Sequence, residues 1–214
     1  MKKFFRFISF LSLVCLFCSC TKKHNFSLAC NYYELALLEL SEKPVTFFRL
    51  KRALAFLDTA LGHCQDARTH ALKATILFKL SHFQEADKSF KSALALVSSS
   101  QIRDDIKNNY ACLLAELNKC REAVQLWDEI VQSTTYLTPE IAFMNKGCMF
   151  LKKGMIRQAE ESFLKAVEFD PQYIDARLML IKIYKEYRYD LCAIQQHAKA
   201  ALFIDPKNKY AQLG

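Results

Sequence analysis

The sequence predicts an all-α protein, an α-solenoid of about five helix-turn-helix units coiling as a right-handed superhelix. Three observations carry that prediction. A figure of small, large and small residues recurs as Ala53-x-x-x-Leu57-x-x-Ala60, Ala86-x-x-x-Phe90-x-x-Ala93 and Ala159-x-x-x-Phe163-x-x-Ala166, with Ala123-x-x-x-Trp127-x-x-Ile130 as a variant. A weaker fifth copy reads Ala193-x-x-x-His197-x-x-Ala200, and the leading alanines stand 33, 37, 36 and 34 residues apart. Glycine and proline number only four each in 214 residues, so no flexible linker divides the chain.

The figure has a simple cause. Residues four and seven apart share one helix face. Alanine lets the second helix of a unit approach the first closely, and the large residue between fills the gap. Such a hairpin cannot bury both its faces alone, so it must stack on a neighbour. The first helices match, with Phe143, Gly147 and Phe150 before the fourth copy, Ala111 and Leu114 before the third, and Ala74 and Leu77 before the second. Gly147 stands at a tight helix crossing, and Gly154 in the turn that follows. Asp170-Pro171 closes the fourth unit; Asp205-Pro206 closes the fifth one residue late, so that copy carries a small insertion. A period of about 34 with two helices per unit is the tetratricopeptide signature.

Read in order, the helices are expected near 27–42, 46–62, 66–80, 82–97, 102–117, 119–132, 138–152, 155–168, 172–186 and 189–203. The units are then about 27–65, 66–100, 101–137, 138–171 and 172–206, with a short tail at 207–214. Lys43-Pro44-Val45-Thr46 is the internal turn of the irregular first unit. Ser98 to Gln101 and Ser133 to Tyr136 absorb the extra residues as looser connections between units.

Before the array, Lys2, Lys3 and Arg6 precede an apolar run from Phe7 to Phe17, too short for the roughly 20 residues that span a bilayer. This is an export leader, expected over 1–19. Phe17-Cys18-Ser19-Cys20 resembles a bacterial lipobox, which implies acylation of Cys20 and a basic lipidated tether over 20–26. More than one acyl chain anchors stably. Thr21, rather than aspartate, follows the cysteine, which favours the outer membrane under the enteric sorting rule. The remaining Cys30, Cys64, Cys112, Cys120, Cys148 and Cys192 form no CxxC pair and have no zinc-ligand spacing. They read as free thiols that pack, with no disulfide pair singled out. Formal charge is +8, falling to about +5 once Lys2, Lys3 and Arg6 leave; cations and acids are interspersed, which argues against nucleic acid.

From about Ile106 to Phe203 the chain resembles the tetratricopeptide lipoproteins of type IV pilus biogenesis, often called pilotins. Asn108-Asn109-Tyr110, Tyr136 to Pro139, Asn145-Lys146-Gly147-Cys148, Ala159-Glu160-x-x-Phe163 and Tyr189 carry the likeness. Ala111 and Lys119-Cys120 depart from it, and a sixth repeat is missing. The resemblance implies an envelope lipoprotein, on the periplasmic face of the outer membrane, that assists assembly of a secretin ring or pilus component.

In such an array the first helices line a concave face that receives a protein or peptide client. Arg68, Thr75, Asn108, Asn109, Cys112, Met144, Asn145, Cys148, Leu178 and Lys182 are placed there. Asn109 and Asn145 occupy equivalent positions; they either meet a peptide backbone or hold adjacent helices in register. The repeat-packing set is Ala53, Ala86, Phe90, Ala93, Ala123, Trp127, Phe143, Gly147, Phe150, Ala159, Phe163, Ala166 and Pro171. Asp175 and Met179 stand where a carboxylate-clamping pair would need cations. His63-Cys64 are sequence neighbours whose side chains diverge on a helix, and no serine elbow, phosphate loop or HExxH occurs, so neither an enzyme nor a small-molecule substrate, cofactor or metal is expected. A cochaperone or secretion chaperone lacking the anchor, in cytosol or periplasm, is the alternative.

Overall fold

The computed structural model describes residues 24–188, 190–209 and 211–213. The expected leader over 1–19, Cys20 and Tyr189 lie outside the described residues. All regular structure among the described residues is helical: α1 (24–41), α2 (Phe47–His63), α3 (Ala67–Lys79), α4 (Phe83–Leu96), α5 (Ser100–Glu116), α6 (Cys120–Val131), α7 (Pro139–Lys152), α8 (Ile156–Phe169), α9 (Ile174–Ile183) and α10 (Leu191–Ile204). Two compact units divide at Ser98 and Ser99. The first holds α1–α4 and the second α5–α10, each a run of helices packed on their chain neighbours.

Local chemistry sets the helix ends. The Thr46 hydroxyl accepts from Arg49 N–H, Asp66 from Thr69 N–H, Ser99 from Ile102 N–H and Asp190 from Ala193 N–H, each an N-cap. The Ser99 cap starts α5 inside the stretch expected as a loose connection, so Ser100 and Gln101 are helical. His24–Phe26, assigned to the tether by sequence, are helical as well.

Three hairpins close in the same way. Ser81, Asn118 and Gly154 take positive φ of 62°, 62° and 71°. The next amide reaches back: His82 N–H donates to Leu77 O, Lys119 N–H to Leu114 O and Met155 N–H to Phe150 O, all at 2.9 Å. This is the Schellman motif, which turns the chain within three residues.

The fifth hairpin differs, and it corrects the sequence reading. Tyr184–Arg188 form a π-helical turn, so one more residue separates Tyr184 from the Asp190 cap than separates Phe150 from Met155. The insertion signalled by the late Pro206 is absorbed there. α10 consequently enters one residue later, and its buried face is Ile194, His197, Ala198 and Ala201 rather than Ala193, His197 and Ala200. His197 stacks on Tyr184 at 5.8 Å between ring centroids.

The repeated figure forms the core. Ala53, Leu57, Ala60, Ala86, Phe90, Ala93, Ala123, Ile130, Ala159, Phe163 and Ala166 have no exposed surface, and Trp127 has almost none. Phe143 and Gly147 are buried, Phe150 is half-buried against the same cluster, and Pro171 is exposed. Pro171 therefore acts as a turn residue rather than a packing residue; its carbonyl accepts from Arg177 Nε at 3.1 Å.

The tightest approach is at Gly147. A Cβ there would stand 2.5 Å from Phe163 Cε1 and 2.7 Å from Cδ1. α7 and α8 meet at this distance only because Gly147 has no side chain.

The connection from Ser133 to Tyr136 is pinned rather than loose. Buried Asp104 on α5 accepts from Ser133 Oγ at 2.6 Å and Thr135 Oγ1 at 2.7 Å, and Tyr136 is buried. Buried groups of this kind stay satisfied because leaving one unpaired costs about 1–3 kcal/mol.

Gly147→Ala is expected to lower stability by about 1–2 kcal/mol, overpacking exceeding the gain in helix propensity. Combining it with Phe163→Leu should cost less than the two single changes together, measured by urea unfolding as a double-mutant cycle.

Acid should also weaken the fold. Burial first, then the nearby Arg177 charge, lowers the His197 pKa from 6.5, and His197 Nδ1 is buried without a partner among the described residues. Burial and then Lys73 lower His70 likewise. The unfolded chain takes up protons first, so this stabilisation is complete above pH 6.5 and is lost as pH falls below it. Thermal melts from pH 7.5 to 5.5 should show a Tm drop of about 2–5 °C that His197→Gln reduces.

Candidate functional site

In the second unit α5, α7 and α9 are the first helices of successive hairpins, and they present the candidate surface. Asn108 faces inward. It is buried, and its Oδ1 accepts from Trp127 Nε1 at 3.0 Å and from Asn145 Nδ2 at 3.1 Å. One amide oxygen thus ties α5 to α6 and α7. This corrects the placement of Asn108 on the binding face: its acceptor is occupied within the fold. Asn145 serves the same node from α7, while its positional equivalent Asn109 is exposed. Of the two readings of the asparagines, Asn145 follows the structural one, and Asn109 stays available to a ligand.

Cys112 and Cys148 are half-buried free thiols on α5 and α7. Burial, with the nearby Cys148 contributing, pushes the Cys112 thiol up to about 12. Burial and then Asp175 raise Cys148 as well. Both sulfurs stay protonated near neutral pH and are poor nucleophiles. Tyr136 and Tyr173 complete this wall at the starts of α7 and α9. Burial pushes the Tyr136 hydroxyl up to about 12, with Asp105 and Glu140 near it. Tyr173 is raised by burial and then by Asp175 and Glu140. Sequence reading placed neither tyrosine in the site. Their repeated place, just before a first helix, was the available signal.

Met144 and Leu178 are half-buried and pack against the core cluster beneath; Lys182 is half-buried on α9. In the first unit Arg68 is exposed on α3, and Thr75 turns its hydroxyl back to Ala71 O at 2.9 Å. Lysines of the first helices are largely spent within the fold. Lys107 meets Glu129 at 2.9 Å, Lys146 meets Asp128 at 2.5 Å and Lys152 meets Glu116 at 2.7 Å. The surface is therefore a row of polar, sulfur and aromatic groups with little free cationic charge, suited to hydrogen bonding and apolar contact with a polypeptide. No metal-holding cluster of His, Cys, Asp or Glu occurs among the described residues, and none of their helices is long and apolar enough to cross a membrane.

Known proteins fit this geometry. Residues 141–173 match the tetratricopeptide repeat model. Among solved structures, pilF of Pseudomonas aeruginosa superposes with a TM-score of 0.69 at 24% identity, covering 89% of this chain and 82% of that one. PilW, described as a widely conserved type IV pilus biogenesis factor, gives 0.68 at 24% identity over 82% of this chain and 77% of that one. YrrB, a tetratricopeptide protein with an unusual peptide-binding site, gives 0.55 at 22% identity over 85% and 89%. These likenesses establish the repeat fold. A human relative, protein O-mannosyl-transferase TMTC3, is 23% identical over an alignment of 172 residues that covers 75% of this chain and 19% of that protein.

Asn108→Ala should strand the Trp127 indole N–H and cost about 1–3 kcal/mol, whereas Asn109→Ala should stay within about 0.5 kcal/mol. Trp127 is the sole tryptophan, so its fluorescence during urea unfolding reads both variants directly.

Proposed function

We propose that this tetratricopeptide-repeat chain is a membrane-anchored scaffold that holds a protein client during assembly or localisation of a secretin- or pilus-type envelope complex. The observation that carries the reading is the row along α5, α7 and α9. Its thiols are held protonated, its tyrosine hydroxyls are held neutral, and Asn109 is free to pair with a backbone. Such a surface binds and does not transform. Likeness of fold to pilF and PilW supports the envelope setting. The leader and the lipobox-like Phe17 to Cys20 support a diacylglyceryl anchor at Cys20, with the periplasmic face of the outer membrane as its location. The lipid supplies the address and the hairpins supply the grip.

Photoreactive groups at Asn109 and Asp175, both exposed on first helices, test the reading in intact cells. A secretin or pilus component should crosslink, and recovery of cytosolic proteins alone would overturn the assignment. Radioactive fatty acid should label the chain and fail to label Cys20→Ala; equal labelling of both would remove the anchor.

A further inference from the structure

We propose that the turn joining α1 and α2 is a lipid-contacting tip that rests on an anionic bilayer surface; for its placement the inference rests on the anchored reading above. Residues 42–46 and the first turn of α2 bring together Val45, Phe47 and Phe48, exposed by 40%, 55% and 76%. The two phenylalanine rings meet edge to face at 6.2 Å, and Lys51 Nζ lies 4.7 Å from the Phe47 ring centroid. Leu37 and Leu38, at the end of α1, add exposed apolar surface beside the turn.

The charges around this tip sort by sign. Glu42 pairs with Arg49, and Glu39 pairs with Arg52 at 2.8 Å. Lys43 and Lys51 are exposed and have no acid partner among the described residues. Projecting aromatic rings rimmed by unneutralised lysines are complementary to a bilayer interface, where rings enter the acyl boundary and ammonium groups meet lipid phosphates. A second copy of the chain suits the tip less well, because a two-fold contact would bring Lys51 towards its own symmetry mate.

Geometry allows anchor and tip to act together. Cys20 precedes α1 by a few residues, and α1 carries the chain about 27 Å to the turn. Contact at both ends lays α1 along the surface. Its outward side carries Leu35 and Leu38, with Glu34 as the acid of that side.

The test uses the full chain carrying Phe48→Trp, reconstituted with phosphatidylethanolamine–phosphatidylglycerol vesicles whose acyl chains are brominated. Circular dichroism confirms the fold, and Phe203→Trp, at another exposed phenylalanine, is the control. With the emission of buried Trp127, measured in the unsubstituted chain, subtracted, the tryptophan at position 48 should lose roughly half of its emission, the one at 203 should not, and Lys43→Glu with Lys51→Glu should restore the signal. Unchanged emission at position 48 while the chain floats with the vesicles would overturn the inference. So would equal quenching at 203, or a dimer in sedimentation velocity that Phe48→Ser abolishes. Intact mass of the same cell-derived sample reads acylation of Cys20, so a missing anchor and a tip that avoids lipid are distinguished.

Discussion

The α7–α8 hairpin depends on one steric constraint: a large side chain on the second helix must enter the space left by a small residue on the first. At Phe163 and Gly147 that space is used up, since even a methyl group on Gly147 would collide with the ring. The alanines on either side of Phe163 bring α8 close enough for the ring to reach. Everything further follows from that separation. It sets where the remaining faces of α7 and α8 lie, and therefore what α6 and α9 must cover. Interiors are close-packed, so an error of one methylene at the crossing spreads to the next hairpin.

A solenoid has no single core to align its units, and the second unit uses buried polar groups for that purpose. Asn108 joins three helices through one oxygen, and Asp104 fastens the connection before α7 to α5. Hydrogen bonds are directional, so they specify register where apolar packing alone would tolerate sliding. Ion pairs between successive helices, such as Lys152 with Glu116, add to this at the surface, where each contributes up to about 1 kcal/mol. The same expenditure of polar groups on structure shapes the candidate binding face. What remains there is Asn109, the two suppressed thiols and the tyrosine pair: groups able to recognise a polypeptide and poorly suited to attack one.

The two units differ in how their apolar surface is spent. In both, charged side chains cross between helices, and in the second the exposed apolar residues are scattered. In the first, exposed apolar side chains gather on α1 and at the start of α2. Among the described residues Leu35 and Leu38 form part of an exposed apolar face of α1. Contact with lipid at that end and with a client along the first helices would use separate surfaces of the chain.

Sequence alone determined the helical class, the hairpin period and most of the buried set, because the spacing of Ala, Phe and Trp residues is itself a statement of which helix face is crowded. It also signalled the insertion before the last helix through the late Pro206. Where that residue would go was decided by tertiary structure: α10 had to meet α9 with Ile194, Ala198 and Ala201, and a π turn was the local backbone able to take up the difference. The division of labour among the asparagines was illegible for a related reason. Asn108 and Asn109 are neighbours in sequence, and a rotation of one residue about the α5 axis sends one to Trp127 and the other to solvent. Periodicity fixes which residues share a face, but only the packed neighbours decide which polar atom on that face is already taken.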